Sequence, residues 1–228
     1  MTDRSAAPIV LDIDGTLYDS TALLLDAVAR RYGIVLAPEK YTEWNSWAVD
    51  LSPQQISDLI DEDFHAPEAI LAAVPYEGAA AVVRAWQAAG HPIHIVSHRA
   101  PHKEGPTKAW LAGIGLEPDV FVIARRLDKI AYAREHGAVL LVDDKPAIIA
   151  DAAVSGVAIA TIIQPYNAAL VASLGAAVIA ASDWPALGAA IRAAGILEQP
   201  DLYVSPRLTR GQATMTIPKI PKGVGRDQ

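Results

Sequence analysis

The chain contains no cysteine. That excludes a thiol nucleophile, a disulfide framework and a cysteine-ligated zinc, and it agrees with a reducing compartment. No hydrophobic run is long enough to span a bilayer: the longest apolar stretch, Ala168 to Ala181, contains Ser173 and Gly175 and falls short of the roughly 20 residues a membrane helix needs. Met1 to Pro8 has no apolar secretory core, so a cytoplasmic protein is expected. Excess positive charge is missing as well. The formal net charge of −7 argues against broad attraction to nucleic acid or an anionic membrane, while a small phosphorylated substrate stays compatible with it. There is no internal repeat at a solenoid period.

Asp12-Ile13-Asp14-Gly15-Thr16-Leu17, directly after the apolar run Ile9-Val10-Leu11, is the most informative segment. It puts two carboxylates where a buried strand must leave its sheet. Residues i and i+2 of a strand share a face, so Asp12 and Asp14 would meet one ligand if the strand continued through them. Gly15 argues for a break instead, because glycine permits a turn with positive φ.

Runs rich in β-branched residues recur at Ile9 to Ile13, Ile93 to Val96, Val120 to Ile123, Val139 to Val142 and Ala158 to Ile163. Helical stretches separate them at Gly78 to Ala89, Thr107 to Ala112, Asp128 to His136 and Pro146 to Val154, with a last helix from Trp184 to Ala194. Such alternation predicts an α/β fold, a Rossmann-like parallel sheet flanked by helices on both faces. The first strand lacks G-x-G-x-x-G, which disfavours a dinucleotide-binding domain. Residues 18–75 interrupt the alternation and read as helical, with Ala22 to Tyr32, Pro53 to Asp63 and Pro67 to Ala73 as candidates. The expected organisation is an α/β core at 1–17 and 76–198, a helical insertion at 18–75, and a flexible basic tail at 199–228 rich in proline, lysine and arginine.

The Asp-x-Asp-Gly-Thr segment resembles the first motif of the haloacid dehalogenase (HAD) superfamily, in its phosphatase branch. Ser97 after His94-Ile95-Val96, Lys129 in Leu127-Asp128-Lys129, and Asp143-Asp144 after Leu140-Leu141-Val142 continue the resemblance in the right order. It implies an HAD-like core with a small cap inserted after the first strand. It also implies Asp12 as nucleophile, Asp14 as general acid/base, and Ser97 and Lys129 as phosphate ligands. Mg²⁺ would be held by Asp12, the Asp14 backbone carbonyl and Asp143, with Asp144 in support. Pro165-Tyr166-Asn167 is similar to a segment of deoxyribonucleotidase-like 5′-nucleotidases.

The chemistry of these residue types agrees. A carboxylate attacking an anionic phosphate is repelled unless a cation screens both, and an acid/base group must serve the leaving oxygen. Arg99 offers a fork of donors for phosphate, and Lys103, Lys108 and Lys145 compete with Lys129 for the cationic role. Trp44 and Trp47, at i and i+3, would share a helix face, and with Tyr18 they are the candidate substrate contacts in the cap.

The resulting expectation is a Mg²⁺-dependent phosphomonoester hydrolase with a phosphoaspartyl intermediate, acting on nucleoside 5′-monophosphates. A phosphatase for nucleic-acid ends, of the polynucleotide kinase/3′-phosphatase type, is the rival within catalysis. A receiver-like signalling domain, or another non-catalytic phosphate-binding domain, is the rival outside it. In receivers, however, the paired acids end the first strand and the phosphorylated aspartate a later one, the reverse of the order here.

Overall fold

The computed structural model describes residues 6–48 and 50–197, apart from the side chain of Trp47. The expectations for the basic tail and for the Trp47 side chain therefore lie outside the described residues.

Six parallel strands form one sheet: β1 (Ile9–Leu11), β2 (Ile93–Ser97), β3 (Val120–Ile123), β4 (Leu140–Val142), β5 (Ile159–Ile162) and β6 (Ile179–Ala181), in the order β3-β2-β1-β4-β5-β6. The central strands β1, β2, β4 and β5 are buried throughout, and the edge strands β3 and β6 are half-buried, as the continuous apolar runs require. Strand order reverses between β1 and β4. In a doubly wound sheet that reversal opens a crevice beyond the carboxyl ends of the strands, the usual place for a ligand.

Between β1 and β2 the chain makes α1 (Ser20–Tyr32), α2 (Pro53–Asp58), a π-helical turn (Leu59–Phe64) and α3 (Pro67–Ala72). Asp19 caps α1 by accepting from Thr21 N and Ala22 N, so the helix starts earlier than its apolar pattern suggests. Ser52 and Gln55 form a capping box on α2, with Pro53 in the first turn. The insertion closes on itself: Tyr18 and Pro75 are bridged, and Tyr76 N donates to Leu17 O at 2.9 Å. It also has its own small core around Leu25, Val28, Tyr41 and Leu59.

The helix expected to carry Trp44 and Trp47 on one face does not form. Trp44 lies in a turn before a short 3-10 helix (Ser46–Ala48). Ser46 bonds back to Glu43 O through both its N–H (3.1 Å) and its hydroxyl (2.9 Å), the local competition by which serine favours turns.

Helices α4 (Ala79–Ala88), α5 (Glu104–Gly113), α6 (Lys129–Glu135), α7 (Pro146–Ser155), α8 (Ala168–Leu174) and α9 (Trp184–Ala193) cover the sheet. One face packs Ile9, Leu11, Leu140 and Val142 against Trp86 of α4 and Trp184 of α9; the other packs Val10, Val96 and Leu141 against α6 and α7. These alternating residues show the strand period of two at work. Of the elements, α8 was not expected from the sequence. No helix among the described residues is long and apolar enough to cross a membrane.

Candidate active site

The pairing of β1 with β4 brings the two acidic segments together. Leu11 is in register with Val142, and Asp12 N donates to Val142 O at 2.9 Å, so Asp12 and Asp143 leave the sheet side by side. β1 ends at Leu11; Thr16 N and Leu17 N both return to Ile13 O, a tight turn that carries Asp14 round toward the same crevice. Gly15 sits in this turn at φ +73°, and a Cβ there would run into the Asp144 carboxylate and stand 2.8 Å from the Tyr166 hydroxyl. Glycine is thus required twice over, by conformation and by space.

Lys129 is the first residue of α6, whose start is fixed by the Asp128 side chain accepting from Ile130 N and Ala131 N at 3.0 Å. Its ammonium, buried to 1% exposure, lies 2.8 Å from Asp12 Oδ1 and 2.7 Å from Asp143 Oδ2. The other Asp143 oxygen accepts from Lys145 N at 2.9 Å. Asp144 accepts from the Thr16 hydroxyl at 3.3 Å and from the Tyr166 hydroxyl, and its backbone carbonyl accepts from Asn167 Nδ2 at 3.0 Å.

Asp12, Asp143 and Asp144 each offer an oxygen, all within 4.8 Å of one another. One ammonium thus faces three buried carboxylates. The Asp12 carboxyl is pushed up to about 7: burial raises it most, Lys129 pulls against this, and the charges of Asp143 and Asp14 add to the rise. Burial, then Asp143 and Asp12, hold Asp144 well above the usual carboxylate range. Burial alone would lower Lys129, but Asp12 and Asp143 outweigh it and hold the ammonium above the ordinary lysine value. An oxygen-only set of three carboxyl groups against one ammonium, with two of the three pushed toward their protonated form, suits a hard divalent cation that would let them ionise.

Asp14 meets a different environment. Arg99 grips it from Nε to Oδ2 (3.0 Å) and from Nη2 to Oδ1 (2.6 Å), the Tyr18 hydroxyl donates to Oδ1 at 2.5 Å, and His65 Nε2 stands 3.3 Å from Oδ2. Burial would raise this carboxyl, but Arg99 and His65 prevail and hold it well below the usual range. Arg99 also donates to Thr107 Oγ1 at 2.9 Å and is 1% exposed. The fork expected to meet phosphate is therefore occupied by Asp14 and Thr107. Ser97, wholly buried at the end of β2, accepts from Arg99 N at 3.3 Å.

Tyr18 was expected as a substrate contact. It is instead 1% exposed, with its ring edge-on to Trp110 at 5.5 Å and its hydroxyl on Asp14, so no face of it is open for stacking. The sequence pattern gives no sign of His65, whose partner is 51 positions away and whose role is set by the fold of the insertion.

A HAD family hydrolase from Deinococcus radiodurans R1, solved with bound phosphate and sodium, aligns over 86% of this chain and 99% of its own at 20% identity, with a TM-score of 0.58. A haloacid dehalogenase-like hydrolase from Streptococcus pneumoniae (16% identity, 84% and 99% covered, TM-score 0.60) and a hydrolase from Pseudomonas syringae (15%, 84% and 100%, 0.59) align similarly. This is the haloacid dehalogenase fold. No family model matches the sequence, and no curated protein does.

On this haloacid dehalogenase fold a cleft of about 320 Å³ lies between the sheet and the insertion. Asp12, Asp14 and Lys129 form its floor, and Leu24, Ile56, Ile60 and Phe64 of the insertion form an apolar wall. Trp44 and Tyr41 line it as well, and the Lys145 ammonium sits 5.9 Å from the centroid of the Trp44 ring. His98, on the same lining, donates from Nε2 to Leu127 O at 2.8 Å. Arg125 reaches across from the sheet side to Asp61 of the π-helical turn, and Lys103 Nζ donates to Asp61 O at 2.8 Å. These contacts hold the insertion over the site.

Proposed function

We propose that the protein is a Mg²⁺-dependent phosphomonoester hydrolase that works through a phosphoaspartyl intermediate on Asp12, with nucleoside 5′-monophosphates as its substrates. The observation that carries this reading is the buried Asp12-Lys129-Asp143 cluster, short of positive charge, on the floor of a cleft. Asp12, the Asp14 carbonyl and Asp143 would hold the ion, with Asp144 beside them. When bound, magnesium supplies the charge that screens Asp12 from the phosphate and favours its ionised form.

Asp12 attacks phosphorus, forming an acyl phosphate as the ester P–O bond breaks and the leaving oxygen takes a proton from Asp14; water then cleaves the acyl phosphate, returns a proton to Asp14 and releases inorganic phosphate and free Asp12. Lys129, and Lys145 from the cleft wall, oppose the charge on the phosphoryl oxygens. Asp14 rests ionised in the grip of Arg99, the state that a base for the attacking water needs, while the same grip lowers its basicity. Its acid role depends on the substrate, because a phosphate dianion beside Asp14 raises its proton affinity. Arg99 acts through Asp14, by fixing it.

The cleft volume falls in the range of small-molecule sites, and the rings of Trp44, Tyr41 and Phe64 give it a surface for a base. Stacking worth roughly 1–3 kcal/mol per base gives about a ten- to hundredfold preference in kcat/KM when expressed in the transition state. The test is phosphate release from mononucleotides, sugar phosphates and end-phosphorylated oligonucleotides, with wild type and Trp44→Ala. The nucleotide reading requires mononucleotides to lead and Trp44→Ala to narrow the gap. Faster turnover of sugar phosphates or oligonucleotide ends rejects the nucleotide assignment and leaves the phosphatase assignment standing.

A further inference from the structure

We propose that Tyr166 is a positioning residue that fixes the Asp144 carboxylate at the cation site and ties it to the aromatic wall of the cleft; this rests on the metal-dependent reading above. Asp144 differs from its two acidic neighbours. Lys129 reaches Asp12 and Asp143. Among the described residues, the hydrogen-bond partners of the Asp144 carboxylate are two hydroxyls, Thr16 at 3.3 Å and Tyr166 in closer contact. Asp144 is 1% exposed, so water does not replace a missing donor freely.

Tyr166 comes from the loop after β5, yet its ring belongs to the core of the insertion. It packs on Tyr41 at 5.1 Å between centroids and, edge to face, on Trp44 at 5.0 Å, and all three side chains line the cleft. The loop that carries it is closed by Asn167, which donates to Asp144 O (3.0 Å) and Ile162 O (3.1 Å) and accepts from Gln164 N (2.8 Å). The hydroxyl and the carboxylate together fill the space that a side chain at Gly15 would take. One tyrosine therefore touches the acidic cluster at its hydroxyl and the substrate wall at its ring. Loss of the hydroxyl leaves a carboxylate oxygen without its nearer donor and lets the group turn away from the site. Partners one layer out from a metal commonly change its affinity by ten- to hundredfold.

The test is calorimetric titration of Mg²⁺ into the chelator-stripped full chain, for wild type, Tyr166→Phe, Asp144→Asn and the double variant, with folding checked by circular dichroism. Tyr166→Phe, which keeps the ring on Tyr41 and Trp44, is expected to raise the Mg²⁺ Kd ten- to hundredfold. In the Asp144→Asn background the same change is expected to alter Kd less than twofold, because the hydroxyl then has no carboxylate to hold. An unchanged Kd in Tyr166→Phe, or equal losses in both backgrounds, overturns the inference. Absence of Mg²⁺ binding by wild type overturns the cation reading itself, a distinguishable result. A readout on folded wild type is the emission of Trp44, taken as the difference from Trp44→Phe. It is expected to shift on Mg²⁺ addition, and no shift overturns the tie to the cleft wall.

Discussion

Replacing Asp12 by asparagine should change how stability depends on pH, by an amount the site geometry fixes. Burial beside Asp143 and Asp14 pushes the Asp12 carboxyl from an ordinary 3.8 up to about 7, despite Lys129. Between those values the folded protein holds a proton that the unfolded chain has released, so stability falls as pH rises. About three pH units at about 1.4 kcal/mol each amount to about 4 kcal/mol lost by roughly pH 8. The amide that replaces the carboxyl does not titrate. The stability advantage of Asp12→Asn over wild type should therefore widen by about 4 kcal/mol from about pH 4 to about pH 8, measured by urea denaturation in chelator. Taking the difference removes the titrations of groups that do not interact with Asp12, such as His94 and His98, which burial lowers and which slope the opposite way. Saturating Mg²⁺ should close the gap at high pH, because it binds folded wild type. A gap that stays constant across the range would refute the claim that Asp12 is a frustrated carboxylate.

Arg99→Met leaves Asp14 without its guanidinium and should cost about 3–5 kcal/mol, the usual loss when one partner of a buried pair is removed. A loss under about 1 kcal/mol by urea denaturation would contradict the clamp. Gly15→Ala should abolish Mg²⁺ binding and phosphate release, since its Cβ meets Asp144 at a positive φ; a folded, fully active Gly15→Ala would disprove the close approach. Asp14→Asn should lose far more kcat on alkyl phosphates than on an activated aryl phosphate, whose leaving group needs no proton, and equal losses would argue against Asp14 as the acid.

The sheet was legible because β1, β2, β4 and β5 are buried on both faces and so appear as unbroken aliphatic runs. Asp12, Asp14, Lys129, Asp143 and Asp144 were legible as candidates because each follows a strand or opens a helix, where a parallel sheet directs its loops to one end. What each of them touches was not. Arg99 reads as a phosphate ligand when only its loop is considered, whereas its partner Asp14 lies 85 positions away and is met only once β1 and β2 pair. Tyr18 follows the motif closely enough to suggest a contact, but its ring turns inward onto Trp110. The turn at Trp44 was hidden because Glu43 to Ser46 prefers its own short-range hydrogen bonds to the helix its spacing suggested. Tyr166 stands out in the sequence only as part of a resemblance, and its bond to Asp144 and its packing on the insertion emerge from contacts far apart in sequence.

The most direct test is to trap the intermediate. Wild-type protein mixed with a phosphate monoester and Mg²⁺, acid-quenched and reduced with borohydride, should yield homoserine at position 12, located by mass spectrometry. Asp12→Asn should yield none and release no phosphate. Wild-type-like phosphate release by folded Asp12→Asn, or a trapped phosphoryl group at any other residue, would contradict the assignment.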